Sequence, residues 1–241
     1  MTETLQKGRD MNEGLIRPCT VVVGHYGSGK TNFAVNLALS VKRRHPEAPA
    51  RIADLDTVNP YFRTADAAEL LKEGGIVPLI PEFANTNVDI PSLPPMLRGL
   101  IESKDAVTVV DVGGDDGAVA LGMYREAIRA AGYSLFYVVN RFRPLIADPR
   151  DAAACMREIE EASGLRCTAL VNNTNLGEET DPREVAESVG YAKECAALCG
   201  LPLVCHAYLA GLVPDLPRVF REAGLEDEPL FPMEGATKRL F

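Results

Sequence analysis

The chain has 241 residues, 34 acidic against 25 basic, with a formal net charge of −9. That length suits one large α/β domain or two small ones, and an apolar fraction of 46% is that of an ordinary globular protein. The acidic balance argues against nonspecific nucleic acid or an anionic membrane as a partner, and no apolar run approaches the roughly 18 residues of a membrane span.

The opening segment MTETLQKGRDMNEG is polar and lacks the apolar stretch of a secretory signal. The expectation is a cytoplasmic protein with residues 1–14 as a disordered tail and residues 15–241 as a single nucleotide-binding domain. Six cysteines, Cys19, Cys155, Cys167, Cys195, Cys199 and Cys205, form no CxxC pair. They read as reduced, buried small hydrophobes.

The first strand is expected over residues 20–23. Gly24-His25-Tyr26-Gly27-Ser28-Gly29-Lys30-Thr31 follows and fits GxxxxGK[ST] in full. A helix over residues 30–44 comes next, with apolar residues at Phe33, Leu37 and Val41. The glycines let the backbone curl with its N–H groups turned toward phosphate oxygens, and the helix N-terminus adds partial positive charge. Gly24, Gly27, Ser28 and Gly29 form the cradle, and Asn32 closes it at the helix start. Lys30 is placed to reach the β- and γ-phosphates, and the Thr31 hydroxyl to ligate Mg²⁺.

The second strand, residues 51–55, runs into Asp54-Leu55-Asp56 and then Thr57-Val58-Asn59-Pro60-Tyr61-Phe62-Arg63. Strand alternation turns Asp54 and Asp56 to the same side. Asp56 is a candidate to orient the attacking water, and Asp54 to support the metal's water shell. Loop solvation or helix capping is the alternative. Helices over 64–72 and 92–102 flank a third strand at 76–80.

The fourth strand, residues 106–112, is apolar and ends in Asp111, then Gly113-Gly114. A carboxylate there is placed to hold Mg²⁺, through water. Asp115 and Asp116 read as a solvated turn or a helix cap. Further on come helices over 117–131, 149–163, 182–198 and 217–223, and strands over 134–139, 168–171 and 203–207. Apolar runs such as LFYVV suit central parallel strands covered on both faces. The alternation predicts an α/β fold: a doubly wound, mostly parallel sheet of about seven strands with helices on both faces. Ligands then bind beyond the carboxyl ends of the strands.

These segments together resemble the MinD/ParA/CobQ-like branch of P-loop ATPases, from about residue 18 to 224. The resemblance rests on the P-loop, the DLD and DVGG segments, and weaker landmarks in VVNRFRPLIAD, the run Ala169 to Asn173, and Leu212-Val213-Pro214-Asp215. It implies ATP and Mg²⁺ as cofactors and a homodimer that holds nucleotide between two subunits. Many members carry a signature lysine at the second P-loop position, which here is His25. Histidine is shorter and largely neutral at pH 7, which sets the sandwich dimer in question.

No NKxD-like segment for guanine is present. Asn172 follows a strand where relatives place an adenine-reading asparagine, and Pro214 flanks the base by resemblance alone. Turn formation is the alternative role for Asn172 and Asn173. Cys195 and Cys199, with Cys205 and His206, are the nearest set to a metal or cluster site, but their spacing is too loose. The end of the chain, from Glu228, carries Pro229, Pro232 and Gly235 and does not read as an amphipathic membrane helix.

The leading expectation is a Mg²⁺-dependent ATPase acting as a switch or maturation factor for a partner protein. The alternatives are an ATP-dependent transferase or ligase activating a small acceptor, and a non-hydrolysing regulatory module.

Overall fold

Apolar strands alternate with helices, and two of the helices carry side-chain caps that show why the chain divides where it does. The computed structural model describes residues 13–55, 67–79, 95–103 and 105–235. The helix at Pro149–Ser163 opens on Asp148, whose carboxylate accepts from the Arg150 N–H at 2.8 Å, and closes on Gly164 in the left-handed conformation. The helix at Pro182–Cys199 repeats the device with Asp181, Arg183 and Gly200. An N-cap aspartate, proline at the first helical position and glycine past the end are mutually reinforcing signals.

In chain order the elements are β1 (Cys19–Val23), α1 (Lys30–Arg44), β2 (Ala50–Asp54), α2 (Ala68–Glu73), β3 (Val77–Leu79), α3 (Pro95–Glu102), β4 (Val107–Asp111), α4 (Asp115–Gly122), α5 (Arg125–Ala131), β5 (Tyr133–Val139), α6 (Pro149–Ser163), β6 (Ala169–Asn172), α7 (Pro182–Cys199), β7 (Leu203–Leu209), α8 (Leu216–Glu222) and β8 (Leu230–Met233). Among the described residues the strands form one eight-stranded sheet in the order β3-β2-β4-β1-β5-β6-β7-β8, and each pair is parallel. This is the α/β architecture read from the sequence, with one strand more than expected.

Successive residues of β1 serve opposite faces. Val21 and Val23 pack with Leu121, Ile128, Tyr137 and Ile159 on one side. Val22 packs with Phe33, Leu37, Phe136 and Val138 on the other, where α1 lies. Burial of both faces is what the unbroken apolar runs require.

Beyond shifts of a few residues at element ends, a helix break and an extra strand depart from the sequence reading. The helix expected over 117–131 is two helices, with a break at Met123 and Tyr124. Gly122 comes so close to α6 that a Cβ on it would stand 3.0 Å from the Ala162 carbonyl. The eighth strand, β8, carries Pro232, which lacks a ladder donor and is tolerated because β8 is an edge strand. The first element of the described residues is a 3-10 turn, Glu13–Leu15, whose Leu15 carbonyl accepts from the Ser134 hydroxyl. The rest of the tail assigned to residues 1–14 lies outside the described residues.

Candidate functional site: a phosphate cradle at the centre of the sheet

β1 lies between β4 and β5, so the chain leaves it at the crevice where the sheet's winding reverses. Gly24 to Gly29 fill the step from Val23 to the first residue of α1, Lys30. The Ser28 N–H donates to the His25 carbonyl at 3.1 Å, which closes the loop into a tight turn. Gly29 has φ 81°, and a Cβ there would stand 2.1 Å from Asn173 Nδ2. No other residue fits that position.

Ser28, Lys30, Thr31 and Asn32 are all buried, Lys30 with only 2% of its surface exposed. A lysine that deep lies at the N-terminus of a fifteen-residue helix, where anions are favoured. The hydroxyls of Ser28 and Thr31 are buried and make no hydrogen bond. A buried hydroxyl without a protein partner is costly, and Thr31 Oγ1 sits where the sequence motif calls for a Mg²⁺ ligand.

Asp54 and Asp111 end neighbouring strands as register partners, and each is 2% exposed. Asp111 is also paired with Val22 across β4 and β1. Register partners in a parallel pair share a face, so both carboxylates lie on the α1 side of the sheet, near where that helix begins. Asp56 and the loop after it lie outside the described residues. Among the described residues, no group of three or more His, Cys, Asp or Glu side chains is gathered for a metal. The candidate Mg²⁺ donors here are thus one hydroxyl and two carboxylates.

On the opposite flank, the structure corrects the role expected of Asn172. Its amide is consumed inside the protein. Asn172 Nδ2 lies 2.8 Å from Ser188 Oγ, to which it donates, and 2.9 Å from His206 Nδ1. Its Oδ1 accepts from the Thr174 N–H and hydroxyl. With 1% of its surface exposed, no donor or acceptor is left to read a base.

Asn173 is the residue that meets the cradle instead. Its Nδ2 donates to the Ser28 carbonyl at 2.7 Å, and its buried Oδ1 makes no hydrogen bond. Holding that carbonyl outward turns the N–H of the same planar peptide, that of Gly29, the opposite way. A second clamp comes from Arg143, whose Nε donates to the Gly27 carbonyl at 2.6 Å. Neither Asn173 nor Arg143 carried a distinguishing sequence signal, because each acts on backbone that lies far away along the chain. Pro214 is exposed in the turn between β7 and α8. Beside that turn lies a small crevice lined by Thr174, Asn175, Thr180, Tyr208, Leu212 and Val213.

None of the six cysteines is in a disulfide. Burial pushes the thiols up, Cys19 and Cys195 to about 12 and Cys199 to about 11. These three thiols are neutral at pH 7 and poor nucleophiles.

No protein-family model matches the sequence, and no curated protein does either. Solved structures do match. The signal recognition particle 54 kDa protein of Aeropyrum pernix K1, solved in complex with GDP, aligns at TM-score 0.55 and 15% identity over 92% of this chain and 50% of its own. FtsY of Mycoplasma mycoides aligns at TM-score 0.51 and 14% identity over 80% of this chain and 61% of its own. The chain therefore spans about half to three fifths of the length of these proteins. At such identities the likeness establishes the fold alone, a parallel α/β sheet with helices around it.

Proposed function

We propose that the chain is a Mg²⁺-dependent nucleoside triphosphatase that works as a nucleotide-driven switch or maturation factor for a partner protein. The observation that carries this reading is the conjunction at the head of α1. Buried Lys30, the unbonded Thr31 hydroxyl and the paired Asp54 and Asp111 converge on one end of one crevice. The donor set fits Mg²⁺, a hard cation that takes oxygen ligands and keeps several waters. Thr31 would ligate it, and Asp54 and Asp111 would act on its water shell. When bound, the cation neutralises charge on the β- and γ-phosphate oxygens. The chain's own groups do the rest. Lys30 and the loop N–H groups orient the phosphates, and Asp56 is proposed to orient the attacking water.

For the base we propose ATP, on the resemblance to MinD/ParA/CobQ-like proteins and the lack of an NKxD-like segment. Two observations favour GTP as a second reading. Asn172, which was to read adenine, is occupied elsewhere, and a structural neighbour was solved in complex with GDP. A homodimer and an unidentified client protein remain the proposed partners.

The test is phosphate release from the purified chain with ATP and GTP, with and without Mg²⁺. Slow Mg²⁺-dependent turnover of one triphosphate, lost in Lys30→Ala, is the expected result. Asp56→Asn should slow it about 10²-fold, the scale of a positioned general base, with binding nearly unchanged. Turnover that requires an added metabolite would replace the switch with a transferase. No binding of either nucleotide would overturn the reading altogether.

A further inference from the structure

Arg143 stands just after β5, in a segment fixed at several points. Its N–H donates to the Asn140 carbonyl at 3.0 Å, and its own carbonyl accepts from Ile146 at 3.0 Å. Next to it, the Arg141 N–H donates to Thr174 Oγ1 at 3.1 Å, and Asn140 Nδ2 donates to the Asn175 carbonyl at 3.0 Å. The main chain that carries the arginine is thus held in place before any ligand arrives.

The side chain lies against the phosphate loop. Besides the Nε bond to the Gly27 carbonyl, a Cβ placed on Gly27 would stand 3.0 Å from Nε, 3.2 Å from Cζ and 3.3 Å from Cδ. Gly27 has φ 76°, and its missing side chain is what admits the guanidinium. Burial pulls the Arg143 pKa below the usual arginine value, against an opposing influence of Tyr26. The group is still a cation, partly stripped of water, and such a cation gains most from an adjacent anion.

The charge balance of the site calls for one. A triphosphate with a single Mg²⁺ retains net negative charge, and Asp54 and Asp111 lie on the same face. Lys30 supplies one positive charge within the P-loop. We propose that Arg143 is the second cation of the phosphate cradle, holding the Gly27 carbonyl with Nε and placing its guanidinium charge against the phosphate chain of the nucleotide. The inference rests on the phosphate-binding reading of the P-loop. It makes Arg143 a determinant of affinity for di- and triphosphates and leaves the nucleoside end of the ligand to other residues.

The experiment uses the full chain with Arg143→Gln, Arg143→Lys and Lys30→Ala, titrated calorimetrically with Mg-ATP and Mg-GTP at low and at high salt. Glutamine keeps a donor for the Gly27 carbonyl and removes the charge; lysine keeps the charge and removes the fork. The expected result is at least a tenfold loss of triphosphate affinity in Arg143→Gln at low salt, on the scale of a charge-assisted contact. The gap should narrow as salt screens the site, and Arg143→Lys should stay within about threefold of the parent protein. Affinity of Arg143→Gln within twofold of the parent at low salt would overturn the proposal. So would an equal, salt-independent loss in the Gln and Lys variants, which marks a structural clamp only. A parent protein that binds neither nucleotide would sink the phosphate-cradle reading itself, whereas binding lost in Lys30→Ala and kept in Arg143→Gln would sink only the role of Arg143.

Discussion

Asp54 and Asp111 face the same side of the sheet as register partners across β2 and β4, both almost wholly buried. Adjacent strands are about 4.8 Å apart, so two carboxyl groups are held close together in a buried place, where a hard divalent cation can be served by both. Mg²⁺ with nucleotide should therefore stabilise the fold by roughly 2.7 kcal/mol at a hundredfold excess over Kd, about 5–10 °C in Tm for a chain of this size. Asp111→Asn should lose most of the Mg²⁺-dependent part while keeping the part due to nucleotide alone. Thermal melts with and without chelator check this, and an undiminished Mg²⁺ increment in the variant would remove Asp111 from the metal's surroundings.

Lys30 gives the most direct test of the cradle. The residue is 2% exposed at the start of α1, and truncation removes a charge-assisted contact to phosphate worth roughly 1.5–3 kcal/mol. Lys30→Ala should weaken triphosphate binding tenfold or more and abolish turnover. Unchanged affinity by calorimetry would mean that the loop serves no nucleotide.

What the sequence disclosed follows from how local each signal is. The helix ends at residues 30 and 44, and at 149 and 163, coincide with the observed α1 and α6, since a P-loop and an Asp-Pro cap are encoded in adjacent residues. The break near Met123 was illegible because it answers to the carbonyls of Ala162 and Ser163 on α6, some forty residues downstream. β8 was missed because Pro232 in a four-residue run argues against a strand until its place at the sheet edge is known. In the site, Lys30, Thr31, Asp54 and Asp111 were legible as strand-end and loop chemistry. Choosing between Asn172 and Asn173 needed Ser188, His206 and Ser28, which only the fold assembles.

His206 predicts a pH response. It is fully buried in β7, accepts at Nδ1 from Asn172, and places Nε2 at 3.3 Å from the Glu228 carboxylate, which Lys193 also engages. Burial lowers its pKa and outweighs the opposing pull of Glu228. Below about pH 6.5 the unfolded chain binds this proton more readily than the folded one. The contribution is therefore complete above that pH and is lost as pH falls toward the folded value, with a slope of at most about 1.4 kcal/mol per pH unit. Stability from pH 7.5 to 5 should decline, and the decline should flatten in His206→Gln. Glu228, whose own pKa lies below the usual carboxylate value, would add to the loss only in more acidic solution. Equal slopes in parent and variant would show that another group carries the dependence.

Asn172 and Asn173 are adjacent and both 1% exposed, yet their substitutions should have opposite signatures. Asn172→Ala strips partners from the Ser188 hydroxyl, the His206 ring and Thr174 together. Buried groups left unsatisfied cost about 1–3 kcal/mol each, so this variant should melt several degrees lower. Any fall in nucleotide affinity should be only what partial unfolding brings, and the preference between ATP and GTP should not move. Asn173→Ala releases the Ser28 carbonyl and leaves the β6–β7 network intact. It also removes a buried Oδ1 that makes no hydrogen bond, which offsets part of the loss, so Tm should change little. The loop peptide between Ser28 and Gly29 is then free to rotate, and the N–H it offered to phosphate loses its fixed direction. Triphosphate affinity should drop about fivefold to tenfold, the size of one net hydrogen bond. Melting curves and titrations with ATP and GTP on the two variants separate the roles. A base preference that shifts in Asn172→Ala at unchanged Tm would restore that residue as the reader and displace Asn173.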